Sequence, residues 1–280
     1  MPPDTALFDA SCHAAPHQRA RGELRLAFKR RGDASVLDTL RQDGCLKARF
    51  PRPDPGQWAH AVTLNSAGGI AGGDILDSIV SVGAGASAVV AAQAAERVYR
   101  ALPGAIARVA TTLHVADGAA LEWLPQETIL FDRCALHRTI DINLADDAIF
   151  TGVESLVFGR TAMDEEVHTA RLHDRIALRR AGRLVLHDAI RFDGPVASLL
   201  DRAAIGPGAR AVATLIQVDR DQPLDALRAA LAPYEAGASV VDGVLLARIV
   251  APTGAVLRKA VVAGLNILRG GRTLPRVWLC

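Results

Sequence analysis

The sequence is poor in every feature that would place it outside a reducing cytosol or mark it at once as an enzyme. Its four cysteines, Cys12, Cys45, Cys134 and Cys280, lie far apart and include no C-x-x-C pair, which argues against a disulfide framework and a structural zinc site. The opening MPPDTALFDASCHAAPHQR has neither a basic n-region nor a continuous apolar h-region, so no secretory signal is expected and residues 1–19 read as a loose tail. A cytoplasmic location follows as the expectation. The longest stretch without a charge, Ser78 to Ala95, is broken by Ser81, Gly83, Gly85, Ser87 and Gln93 and is otherwise mostly Ala and Val. It is too weakly apolar to insert in a membrane and is expected to be buried strand and turn. Lys+Arg 32 against Asp+Glu 30 leaves a net charge of +2, so no global field draws the chain to nucleic acid or to an anionic membrane; only local basic patches could do so. What the chain does have is 280 residues that are 50% hydrophobic and 22% charged, enough to bury a substantial core.

The dominant period up to about Val218 is two. Leu24, Leu26 and Phe28 alternate with Arg25 and Lys29, Leu46, Ala48 and Phe50 with Lys47 and Arg49, and Val109 to Val115 with Arg108, Thr112 and His114. Ile140, Ile142 and Leu144 continue the pattern, while Ile176–Leu178 and Leu184–Leu186 flank a hairpin-like turn. Asp117-Gly118 and Asp242-Gly243 are further turn signals, the second splitting a strand-like run from Val240 to Val250. Helical spacing comes late: Leu224, Leu227 and Leu231 between Asp221, a candidate N-cap, and Pro233, then Leu257, Val261, Leu265 and Leu268 before Gly270-Gly271. No linker divides the chain, although Pro51–Pro55 is a loop. One mainly β domain with a mixed C-terminal portion is expected, and periodicity alone does not choose between sandwich, barrel and β-solenoid.

Chemistry concentrates in a few segments. Leu64-Asn-Ser-Ala-Gly-Gly-Ile-Ala-Gly-Gly-Asp74 holds four glycines in six positions, Gly68, Gly69, Gly72 and Gly73, which permit positive φ and close backbone approach. It fits neither G-x-G-x-x-G nor a Walker loop, and a tight structural turn built with Asn65 is the favoured reading. Gln93-Ala-Ala-Glu-Arg-Val-Tyr-Arg100 offers Tyr99 and Arg100 as a partner-facing patch. Leu121-Glu-Trp-Leu-Pro-Gln-Glu-Thr-Ile-Leu-Phe-Asp132 places Glu122, Glu127 and Asp132 in and around an apolar strand, where a carboxylate must be paired, hydrated or holding a cation. Glu154 lies inside the apolar run Val153–Phe158, ahead of the acidic Gly159-Arg-Thr-Ala-Met-Asp-Glu-Glu166. His168 and His173 are badly spaced for a chelate, and His13 and His17 sit beside Cys12 in the tail, so no N/S metal site is encoded locally. There is no G-x-S-x-G, and neither Cys45 nor Cys134 has a recognisable histidine partner; paired-carboxylate hydrolysis and nucleotide binding at the glycine loop stay open.

Taken together, these four motifs, in this order and closed by Leu-Pro-Arg-Val-Trp278, resemble the urease accessory protein UreD (UreH) family over roughly residues 20–280. Ala91-Ala92 departs from the Thr pair usual there and removes two hydroxyls, and Asp164 adds a charge where Gly is usual. The resemblance implies a single domain over 1–280, built as a right-handed β-helix-like stack of short strands with a few mostly C-terminal helices. It implies a non-enzymatic maturation chaperone that joins UreF, the GTPase UreG and apo-urease to insert nickel, with no nucleic acid, no membrane and no tightly bound cofactor. Ni²⁺ would pass transiently along an internal hydrated path, for which Asp74, Glu127, Glu154 and Glu165 are the candidate contacts. Weak oxygen ligands suit such a conduit better than thiolate or imidazole cages, because the ion must leave as readily as it enters. The rival readings are a β-solenoid hydrolase with paired carboxylates and a purely structural bridge between UreF and urease.

Overall fold

The computed structural model describes residues 18–52, 58–160, 165–203, 205–206 and 208–279. The expected tail, together with Cys12, His13 and His17, falls largely outside these residues, as do Cys280 and Asp164. Two sheets face each other. In the first, β1 (Arg21–Arg31), β5 (Ile75–Val82), β8 (Ala107–Val115), β11 (Ala135–Leu144) and β13 (Thr169–Arg180) are successive parallel neighbours, edged by the antiparallel β2 (Ala34–Gly44) and β14 (Arg183–Pro195). In the second, β4 (Ala59–Asn65), β6 (Ser87–Ala92), β9 (Ala120–Leu124) and β12 (Ile149–Phe158) run parallel, with antiparallel β3 (Leu46–Arg49) at one edge and β15 (Ala211–Val218), β17 (Val244–Ala251) and β16 (Ala236–Val241) at the other. Short parallel pairings of Ile70, β7 (Glu96–Val98), β10 (Thr128–Leu130) and the end of β12 close a third side. The chain therefore coils from the second sheet across the third side to the first sheet and back, making about four turns of a β-solenoid.

Residues one coil apart stack in columns. Leu26, Val80, Leu113, Ile142 and Leu178 form an inward column of the first sheet; Ala59, Ala88, Leu121 and Phe150 form the facing one. The outer face of the first sheet carries the polar half of each strand, which is why β11 alternates strictly between buried and half-buried. The second sheet is covered on both faces, and β12 is buried at nine of its ten positions. Its outer cover is α2 (Leu224–Leu231) and α3 (Gly254–Leu268), whose Leu257, Val261, Leu265 and Leu268 pack on Val89, Ala91, Leu124 and Val153. Gly264 allows that approach, since a Cβ there would stand 2.5 Å from Leu215 Cδ1. Thr253 caps α3 by accepting a hydrogen bond from Val256 N (3.3 Å), whereas α2 starts after Pro223 rather than on an Asp221 cap. The five-residue α1 (Val196–Leu200) is too short to have left a helical period in the sequence.

Candidate functional site

Between the sheets the inward columns turn polar. Ser78 and Thr111, paired across β5 and β8, and Thr128 replace aliphatic side chains there, and a cavity of about 400 Å³ opens. Its outer rim is Asn65, Gly68, Gln93, Glu96 and Arg97; its inner end is Trp123, Arg138 and Glu154. Glu96 accepts from Asn65 Nδ2 (3.3 Å) and Arg97 N (3.2 Å), and burial raises its pKa against the lowering effect of those contacts.

The inner end is a charged triad on three strands. Arg138 stands in β11 at the parity of Leu136 and Ile140, and Asp174 in β13 at that of Leu172 and Ile176. The alternation thus aims both into the core. Arg138 clamps Asp174 with two bonds (Nε to Oδ1 2.8 Å, Nη2 to Oδ2 2.6 Å), and its Nη1 reaches Thr128 Oγ1 (3.1 Å) and Glu154 Oε2 (2.8 Å). Trp123 Nε1 donates to the other Glu154 oxygen at 2.8 Å. Burial pushes the Glu154 pKa up despite Arg138; burial also works against the Arg138 charge, but Asp174 and Glu154 outweigh it and raise the guanidinium above its ordinary range. Behind the triad, a space of about 10 Å³, sufficient for one water, leads to Asp188 and Arg248, which pair at 2.6 Å near the surface. A line of polar groups thus runs between the sheets from Glu96 to Arg248, and the Arg138 guanidinium stands across it.

Of the four carboxylates proposed from sequence, Glu154 borders the cavity. Asp74 is buried elsewhere, its oxygens accepting from Ala20 N (2.8 Å) and Ala71 N (2.7 Å). Glu127 pairs with Arg258 at 3.4 Å and Glu165 with Arg160 at 2.8 Å. The glycine segment joins β4 to β5 as a turn. Gly68 and Gly73 have φ of 77° and 93°, and a Cβ on Gly69 would meet the Tyr99 ring at 2.3 Å or, on Gly72, Ala105 O at 2.6 Å. Asn65 braces it, Oδ1 accepting from Ala67 N and Nδ2 donating to Gly69 O. Tyr99 donates to Gly68 O (2.9 Å) and packs edge-on to Phe131, while Arg100 lines an open groove beside Cys134. Ala92 lines the cavity, so one of the two missing hydroxyls would have faced it; Ala91 points into the helix-side core. Sequence reasoning did not select Glu96, Arg138 and Asp174, although a charge in phase with an apolar face was visible at the last two.

Other reactive groups are held quiet. Burial pushes the Cys134 thiol up to about 12 and raises Cys45 as well, which makes neither a nucleophile. Glu122, on the outer face of the second sheet, is fully buried against Arg269 (2.9 Å) and Arg272. Among the described residues no three His, Cys, Asp or Glu side chains are grouped to hold a metal, and no helix is long and apolar enough to cross a membrane.

Comparison with known proteins agrees with the motifs. The family model described as UreD urease accessory protein matches residues 20–279. The urease accessory protein UreD of Chelativorans sp. (strain BNC1) is 42% identical over 279 residues, covering 98% of both chains. UreD of Azorhizobium caulinodans is 42% identical, covering 95% of this chain and 98% of its own, and UreD of Ruegeria sp. (strain TM1040) is 44% identical, covering 93% and 90%. The chain belongs to the UreD urease accessory protein family.

Proposed function

We propose that this chain serves urease maturation as a nickel-passing chaperone rather than as a catalyst, and that the cavity between its sheets is a hydrated stretch of the ion's route. The observation that carries the reading is the placement of Glu154: a buried carboxylate at the inner end of a cavity of about 400 Å³ whose rim holds a second carboxylate, Glu96. Single carboxylates and hydroxyls give Ni²⁺ brief oxygen contacts without the grip of a full cage. Ser78, Thr111 and Thr128 add polar oxygens to the same space. Ni²⁺ is cargo here, delivered towards apo-urease in a complex with UreF and the GTPase UreG. The route narrows at Arg138, so passage requires this side chain to turn away from Asp174 into the cavity, which has the volume to receive it.

Two features speak against a hydrolase. Glu154 and Asp174, the two buried carboxylates beside Arg138, are both committed to its guanidinium, and neither cysteine is activated. The bridge reading draws support from Asp74, Glu127 and Glu165, which are engaged by backbone amides or arginines and are separate from the cavity. Reconstituting the maturation complex with Glu154→Gln and with Glu96→Gln separates conduit from bridge. A conduit loses nickel loading of urease while the complex still assembles; full loading by both variants removes the conduit role and leaves the scaffold.

A further inference from the structure

The outer face of the first sheet carries charges in an order that costs stability. Arg108, His137, His173 and Arg191 stand directly opposite one another on four neighbouring strands, β8, β11, β13 and β14. The two imidazoles stack at 4.7 Å between centroids, 13° from parallel. Burial, then His173, Arg108 and Arg175, lowers the His137 pKa. The acids on this part of the face are engaged: Asp141 with Arg175 (2.7 Å) and Arg179, and Asp193 with Arg171 (3.3 Å). Among the described residues neither Arg108 nor Arg191 has an acid within ion-pair distance. At the strand ends Arg100, Arg133 and Arg171 continue the basic surface around an open groove of about 420 Å³. On the other half of the same face Asp43, Glu23 and Asp77 line up across β2, β1 and β5, and Glu23 there is paired with Arg25 (2.6 Å) and Arg41 (3.4 Å).

Like charges opposite one another on neighbouring strands repel, and an anionic partner removes that penalty. We propose that the Arg108–His137–His173–Arg191 row docks an acidic helix of a partner protein, lying across the strands. The spacing fits: neighbouring strands lie about 4.8 Å apart, and side chains at i, i+3 and i+4 of a helix about 5–6 Å apart, so successive carboxylates of a helix meet successive strands. A long polyanion such as nucleic acid suits the face less well, because Asp77, Asp132, Asp141 and Asp193 border the row and the net charge supplies no long-range attraction. Docking is also pH-dependent. His137 lies beside Arg108, His173 and Arg175, with Asp141 four residues further along its strand, and it gains its charge only as the pH falls below the ordinary 6.5, so binding strengthens from pH 7.5 to pH 5.5.

The test is fluorescence anisotropy of the full chain with a labelled helical peptide bearing Glu at i, i+4, i+7 and i+11. Controls are a Lys-stripe version and an RNA duplex of equal charge. Wild-type chain is expected to bind the Glu peptide more tightly at pH 5.5 than at pH 7.5. Arg108→Glu/Arg191→Glu, both exposed and remote from the core, is expected to weaken binding about tenfold or more and to bind the Lys-stripe peptide instead. His137→Ala/His173→Ala keeps the arginines and is expected to flatten the pH dependence. Unchanged affinity in the arginine double variant with native circular dichroism overturns the proposal, and so does tighter binding of the RNA than of the Glu peptide at the same salt.

Discussion

Two buried glutamates on one sheet show how little burial says about function. Glu122 in β9 and Glu154 in β12 are both shielded from solvent and both paired with arginine. They face opposite ways. Glu122 points to the helix side, in a row with His60, Val89, Thr151 and Gln217, where Arg269 and Arg272 tie the segment after α3 onto the sheet. The Arg272 guanidinium also lies 4.3 Å over the Trp58 ring. Glu154 points to the solenoid interior and borders open space. The chemistry is the same on both faces, and the void beside it differs. A carboxylate locked between two arginines is a fastening; one held by a single arginine and a tryptophan N–H at the edge of a cavity has room to exchange partners.

The largest effect expected from that contrast is at the fastening. Glu122→Gln leaves the Arg269 cation buried without its counter-charge and is expected to cost about 3–5 kcal/mol in urea unfolding, while the folded fraction still loads nickel normally. Equal stability of the variant and wild type would erase the distinction. Next, Glu154→Gln keeps the Trp123 hydrogen bond and leaves Arg138 its two bonds to Asp174, so its stability cost is expected to be about 1–2 kcal/mol although its effect on nickel delivery is the greater. Unfolding that costs as much as in Glu122→Gln would make Glu154 a second fastening. The smallest effect is a pH slope on the Glu122 side. Burial, then Arg269, lowers the His60 pKa below its ordinary 6.5, and its buried Nε2 has no hydrogen-bond partner. The unfolded chain therefore takes up a proton near pH 6.5 that the folded chain refuses, so stability is lost as the pH drops through that value. His60→Phe is expected to remove under about 1 kcal/mol of that loss between pH 7 and pH 5, read from chemical denaturation at each pH; an unaltered slope would show that His60 protonates freely in the fold.

The contrast between the two faces was partly visible in the sequence. Strands of the first sheet alternate cleanly because one face meets water, and β1, β8, β11 and the β13–β14 hairpin follow directly from that pattern. Arg138 and Asp174 fall in phase with leucines and isoleucines, a local signature of charges aimed inward. Glu122 and Glu154 both sit in apolar runs, since the second sheet is buried on both sides, and alternation there says nothing about which face holds the void. The cavity itself depends on how Ser78 and Thr111 come into line one coil apart while Thr128 borders the same space from the third side, which is a property of the stacking. The Asp74 side chain similarly has its partners set by the fold: one of them, Ala20 N, is 54 residues away.

Passage through the interior, as distinct from the charge of any one residue, is tested most directly by closing the space. Ser78 lines the cavity from β5 and is only half-buried, so Ser78→Phe fills the void while every carboxylate keeps its identity. With unfolding and complex assembly matched to wild type, the nickel content of urease matured by the Ser78→Phe complex, measured by mass spectrometry of the purified enzyme, is expected to fall severalfold. Urease carrying its full complement of nickel would contradict an interior route.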